Sequence, residues 1–287
     1  MTYQIFDNRP CDLGEGPLWH PERQQLFWFD ITNSLLRSRD DDHALEWRFD
    51  RMVSAAGWVD RDHLLIASER DLVLFDLRTE AETHVIDLEA DNSITRSNDG
   101  RIDPLGGFWI GTMGKEAEAG AGAIYRFYRG ELRQLYPDIS IPNAISFAPD
   151  GRSACFTDTA TQRVMRQTLD ADGWPDGPPE LLRDLTEDRK NPDGAVIDRD
   201  GNIWIAEWGA SRVACYDQQG DFLTSVAVGG RHSSCPAFGG AEFSTLFVTT
   251  ARQGVREDVL AQQPENGMVF AVTGAGRGQP EHRVRLD

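Results

Sequence analysis

Six short stretches of this 287-residue chain present small or oxygen-bearing side chains at a recurring place, shortly ahead of an apolar run. They are Glu15 in GEGP, Ser54 or Ala55, Asn98 in SNDG, Asn143 in PNA, Asp193 in PDGA and Cys235 in SCPA. Four of the six carry Glu, Asn or Asp, although strand interiors disfavour Asp and Asn. Taken singly, an Asp-Gly or Pro-Asn pair marks a turn. Repeated in register, the same residues gather hard oxygen donors, and such donors suit Ca²⁺ and similar cations, with water completing the shell. Two carboxylates and one amide, from Glu15, Asp193 and Asn143, leave coordination positions open for a water and a substrate oxygen, as a catalytic centre requires.

The elements that must position these groups are legible as six repeats. The apolar runs are LFWFD (26–30), LLIAS (64–68), FWIGT (108–112), ACFTD (154–158), IWIAE (203–207) and LFVTT (246–250), each preceded by a turn signal such as Pro149-Asp150-Gly151 or Asp200-Gly201. A second alternating run follows each. The spacing, roughly 38 to 48 residues, is that of one four-stranded propeller blade per repeat. The expectation is an all-β, six-bladed β-propeller forming a single domain over residues 1–287. The amino-terminal YQIF is expected to close the ring on the last blade, whose own carboxyl end is read as HRVRL, and the insert 252–267 to form a short helix or loop. The innermost strand of each propeller blade lines the central channel, so the recurring positions converge on one axis.

Composition narrows the function classes. Acidic residues outnumber basic ones 47 to 29, for a formal charge of −18, while hydrophobic residues make up 40%. Such a surface repels phosphate backbones and anionic lipid, so neither nucleic acid nor membrane is an expected partner. The four cysteines, Cys11, Cys155, Cys215 and Cys235, form no metal-binding spacing and read as reduced thiols. No stretch approaches 18 consecutive apolar residues, and the first residues lack a signal-peptide pattern, so a cytoplasmic location is expected.

The stretches LGEGPLWHPERQQLFWFDI, RSNDGRIDPLGGFWIGTMG, IPNAISFAPDG, PDGAVIDRDGNIWIAEWG and AFGGAEFSTLFVTTAR make the chain resemble the regucalcin/gluconolactonase (senescence marker protein) family over essentially its whole length. In overall pattern it looks nearest to the bacterial sugar-acid lactonases. The resemblance implies a six-bladed propeller with one divalent ion held by Glu15, Asn143 and Asp193. It further implies that Arg96 and Asn98 contact substrate. Glu116, in the charged loop Lys115-Glu116-Ala117-Glu118, joins them with Glu118 as its alternative. The PNA segment departs from the family pattern, where many members carry glycine after the asparagine.

A sugar lactone is a cyclic ester, and its hydrolysis needs a polarised carbonyl, an activated water and a proton for the departing alkoxide. Asp193 is the candidate catalytic base, in competition with a water activated by the cation itself. Arg96 offers a fixed charge and planar donors for hydroxyls or an oxyanion, and Asn98 offers both donor and acceptor. Ca²⁺ is favoured, with Zn²⁺, Mg²⁺, Mn²⁺ and Fe²⁺ compatible. No G-x-S-x-G motif supports a serine nucleophile. Two other readings stay open: a calcium-binding regulatory protein, and a hydrolase of other esters or phosphotriesters. Trp28, Phe108, Trp109 and Trp204 read as core and His20 and His232 as structural or exposed, while Trp208, which follows such a run, is read as approaching the channel mouth but is given no site role.

Overall fold

Each of the six apolar runs becomes the second strand of a four-stranded antiparallel sheet in the computed structural model, which describes residues 2–40 and 43–287. The innermost strands of blades 1 to 6 are Gly14–His20, Val53–Trp58, Thr95–Ile102, Pro142–Phe147, Asn191–Ile197 and His232–Gly239. They pack side by side in chain order, and the sixth returns to the first. The sheets thus form a closed six-bladed β-propeller around a channel.

The second strands are continuously apolar because neighbouring blades cover both of their faces, and the two-residue strand period divides each run between two cores. Phe27 and Phe29 pack with Leu64, Ile66 and Phe75 of blade 2, whereas Leu26 and Trp28 pack with Phe247 and Val269 of blade 6. The same division recurs around the ring. Trp109 meets Phe147 and Phe156 between blades 3 and 4, and Trp204 meets Phe238 and Leu246 between blades 5 and 6.

Ring closure follows the expectation in one respect and departs from it in another. Tyr3–Asp7 pairs antiparallel with Val269–Thr273 and becomes the outer strand of blade 6, so a strand from the chain's start locks the last blade. HRVRL is not the end of that blade. After Gly274 the chain leaves the sheet and crosses the channel mouth opposite the candidate site. Gly278 N donates to Phe243 O in blade 6, Arg199 N of blade 5 to Arg277 O, Val284 N to Trp58 O in blade 2 and Arg285 N to Gly106 O in blade 3. The last blade already has its fourth strand, so the tail finds backbone partners beneath the ring instead. The insert contributes one short helix, Glu257–Gln262.

Every inner strand carries a bulge near its start. In five blades two residues oppose one on the second strand: the irregularities fall between Glu15 and Leu18, Ser97 and Gly100, Asn143 and Ser146, Pro192 and Ala195, and Ser233 and Pro236. Blade 2 has a shorter irregularity between Val53 and Ala55. Bulges re-aim side chains locally, which permits consecutive residues to serve one site.

Candidate metal and substrate site

The bulges refine the repeat register. Glu15 and Asn143 occupy the last paired position before the bulge, whereas Asn98 and Asp193 are the first residue within it. Glu15, Asn143 and Asp193 therefore do not share one register position, and a residue count could not see this because the two places are adjacent. Local packing explains the residues beside them. Gly16 has φ 51°, and a Cβ there would lie 2.2 Å from Ser54 O, so the turn after Glu15 requires glycine. A Cβ at Gly194 would lie 2.3 Å from Cys235 Sγ, which accounts for the glycine after Asp193.

Glu15, Arg96, Asn98, Asn143 and Asp193 line one cavity of about 230 Å³ at the channel mouth. All five are nearly buried, at 3 to 7% exposure. A hydrogen-bond chain holds them: Arg96 Nη1 donates to Asn98 Oδ1 at 2.8 Å, and Asn98 Nδ2 donates to Asn143 Oδ1 at 3.1 Å. Asn143 Nδ2 donates to Thr159 Oγ1 at 2.8 Å, and that hydroxyl donates to Pro192 O at 2.7 Å. With its nitrogen tied to Thr159, Asn143 keeps its amide oxygen on the opposite side. Thr159 is placed by the turn that Asp158 caps, since that carboxylate accepts from Ser140 N, Ile141 N and Ala160 N at 3.0 to 3.2 Å.

The electrostatics are unbalanced. Asp193 and Glu15 are both held above the ordinary carboxylate range, first by burial and then by repulsion from neighbouring carboxylates, with Asp99 acting on each. Asp99, one residue beyond Asn98, is itself pushed up to about 6 by burial although it accepts from Ile145 N at 2.8 Å. Burial lowers the Arg96 guanidinium to about 10, while Glu15 and Asp193 act to raise it. Glu15 and Asp193 thus share the cavity wall with one guanidinium, with Asp99 close enough to repel both, and the excess negative charge is one that a cation would offset. Among the described residues no three His, Cys, Asp or Glu side chains cluster as a ligand set. The donors that fit a hard cation are the mixed set of two carboxylates and an amide.

Glu116 stands apart. It is exposed in the loop above the cavity, its amide donates to Glu118 Oε2 at 3.1 Å, and the neighbouring Ala117 borders the cavity instead. Sequence reasoning passed over Leu13, Met113, Ile141, Thr159 and Gln253 and gave Trp208 no role, and these residues complete the wall. No spacing signal marks them, because they come from strand ends and loops. Asp99 was legible in the SNDG motif but was read only through its neighbour. The four cysteines are free and buried.

The chain is similar to known proteins in both sequence and fold. The sequence model of the SMP-30/gluconolactonase/LRE-like region matches residues 13–252. The chain is 36% identical to an L-arabinolactonase of Azospirillum brasilense, covering 90% of this chain and 87% of that protein. It is 30% identical to a pentonolactonase of Haloferax volcanii over the whole of both chains. Its fold superposes with a TM-score of 0.97 on the crystal structure of a calcium-binding protein, regucalcin, from Agrobacterium tumefaciens, at 39% identity, covering 99% of this chain and 98% of that one.

Proposed function

The chain belongs to the SMP-30/gluconolactonase/LRE-like family, and on that premise we propose that it is a lactonase that opens a sugar lactone with one divalent cation bound at the channel mouth. The observation that carries this reading is the convergence of Glu15, Asn143 and Asp193 with Arg96 and Asn98 on a single buried cavity. Glu15, Asn143 and Asp193 would hold the cation, which supplies Lewis acidity at the lactone carbonyl and offsets the negative charge of the site.

The chain's own groups account for the remaining steps. Water adds to the carbonyl carbon, the bond from that carbon to the ring oxygen breaks, and one proton moves from the water to the departing oxygen. Asp193 is the group assigned to carry it: its carboxylate lies on the wall of the cavity beside the other proposed cation ligands, within the space where water and lactone would meet. Arg96 uses Nη1 to hold Ser97 O and Asn98 Oδ1. Its other donors serve the oxyanion that develops on the carbonyl. Asn98 and Thr159 keep the amide of Asn143 oriented, which supports the cation site.

A cation-binding scaffold would need the oxygen donors but gains nothing from a buried guanidinium, whose charge repels the ion. That argument favours the enzyme over a purely regulatory role. The test is acid release at constant pH from a panel of five- and six-membered sugar lactones, using protein treated with chelator and reloaded separately with Ca²⁺, Mg²⁺, Mn²⁺ and Zn²⁺. Hydrolysis restored by at least one cation is the expected result. Failure of every loaded form to hydrolyse any lactone would refute the proposal.

A further inference from the structure

The bulged inner strands explain the polar wall of the cavity and leave its other wall unexplained. Trp208 ends the second strand of blade 5, opposite Asn191. At the same register place, one step toward the mouth from the last paired residue, blades 1 and 4 carry Asp30 and Asp158. Those aspartates do the repeat's structural work. Asp30 accepts from Asp12 N and Leu13 N at 3.2 and 3.1 Å, as Asp158 does for Ser140 and Ile141. Blade 5 gives up that cap for an indole.

Trp208 is also unlike the other tryptophans of the second strands. Trp28, Trp109 and Trp204 are at most 2% exposed within interblade cores, whereas Trp208 is half-buried and borders the cavity. Its ring is fixed from behind. His232 stacks on it with centroids 4.2 Å apart and planes 21° from parallel, and His232 Nδ1 is bonded to Gln253 O at 2.9 Å. One aromatic face is covered, and the indole is held rigid beside the cation ligands. Leu13, Met113 and Ile141 extend the apolar surface.

We infer that Trp208 is a specificity-determining residue, the platform on which the C–H face of an uncharged sugar-lactone ring lies while Arg96, Asn98 and the cation ligands engage its oxygens. A lactone ring has an apolar face and polar edges, and the cavity presents the matching division. The class is uncharged because Arg96 is the sole basic side chain on the cavity wall among the described residues, and it shares the space with Glu15 and Asp193. An anionic substituent would find no cation of its own there and would meet two carboxylates. A preformed pocket lined by an aromatic face with a few placed polar groups is the ordinary form of a small-ligand site.

The inference rests on the lactonase reading, and the experiment separates the two. Steady-state kinetics of cation-loaded wild type, Trp208→Ala and Trp208→Phe are measured on D-xylonolactone and D-gluconolactone, with a phosphorylated gluconolactone as the anionic probe. Trp208→Ala is expected to raise KM about tenfold with kcat changed less, the size of one lost aromatic contact, and Trp208→Phe to restore most of it. Wild type is expected to discriminate against the phosphorylated probe. Equilibrium titration with the aldonate product, followed by saturation-transfer NMR, should show the sugar's C–H protons close to aromatic protein protons in wild type and Trp208→Phe, and not in Trp208→Ala. An active wild type whose KM is unmoved in a folded Trp208→Ala, or which prefers the phosphorylated probe, overturns the inference and leaves the lactonase reading standing. A wild type inert on every lactone removes both.

Discussion

The two mouths of one channel treat buried charge in opposite ways. At the plugged mouth, Arg101 and Glu281 are each about a tenth exposed and lie 2.6 Å apart, and Arg101 also donates to Ala195 O at 3.1 Å. The carboxyl-terminal tail that brings Glu281 also sends the Gln279 amide to Ile197 O at 3.0 Å. At the open mouth Glu15 and Asp193 share only the guanidinium of Arg96, and burial together with repulsion from neighbouring carboxylates raises their proton affinity. The same inner strands build both ends, so fold stability does not require the imbalance. A mouth whose charges are paired holds the ring together, whereas a surplus of buried charge is what the proposed cation would offset.

Substitutions at the two ends should therefore separate activity from stability. The largest effect is expected from Asp193→Ala, which should reduce lactone hydrolysis by about 10³-fold or more in initial-rate assays. The same variant, freed of one repelling carboxylate, should melt no lower than wild type when both are measured with chelator. Lower melting would contradict the surplus-charge account of this mouth. At the other end, Glu281→Ala leaves Arg101 buried without its partner and should cost about 3 kcal/mol in denaturant unfolding. With cation present its kcat/KM should stay within about twofold of wild type; a collapse of activity in folded protein would mean that the plug and the site are one unit.

Arg96→Gln probes the one cation of the open mouth. It should lower kcat/KM by about 10²-fold while cation affinity by calorimetry stays the same or rises, since a repelling charge is removed. A large loss of cation binding would overturn its assigned role.

A smaller test uses the bulges themselves. Ala144, fully buried, adopts φ 56° at the place where blade 1 has Gly16 at φ 51°. The left-handed conformation costs a residue with a Cβ about 1 kcal/mol, but Ala144→Gly also removes a core methyl worth about 0.8 kcal/mol and adds backbone entropy to the unfolded chain, so stability in urea should fall by no more than about 1 kcal/mol with kcat unchanged. A loss well beyond that would show that the bulge in blade 4 is already relaxed.

The smallest effect is a slope with pH. His20 lies buried and His282 half-buried toward the plugged mouth, and desolvation depresses the pKa of both below the ordinary histidine value. At these two sites the unfolded chain binds more protons than the native one as pH falls through about 6.5, so their contribution to stability is full above that value and declines below it, opposite in sign to that of the raised carboxylates. Replacing His20 by Gln should flatten the decline in unfolding measured between pH 7 and 5.

How much of this was legible in one dimension depended on whether a residue's role was local. The six repeats could be read because every second strand is buried on both faces, which forces an unbroken apolar run and a turn before it. Asn98, Asn143 and Asp193 stood out because polar residues at strand starts conflict with strand propensity. Trp208 gave a weaker signal: its place just after an apolar run pointed toward the channel mouth, but no spacing assigned it a role until its stacking on His232 was known. HRVRL was misread for a related reason: its alternation fits a strand, but the chain's first strand had already taken the place it would fill.

The sequence by itself determined the propeller, its period, the acidic surface and the oxygen-bearing residues ahead of each run, because these follow from periodicity and residue chemistry alone. Tertiary structure decided which of those residues meet. It set the bulges that bring two register positions to one cavity, the carboxylate surplus around Arg96, the stacking of Trp208 on His232 and the tail that seals the far mouth. Each of these depends on contacts between residues far apart in the chain, and closure of the ring is what fixes them.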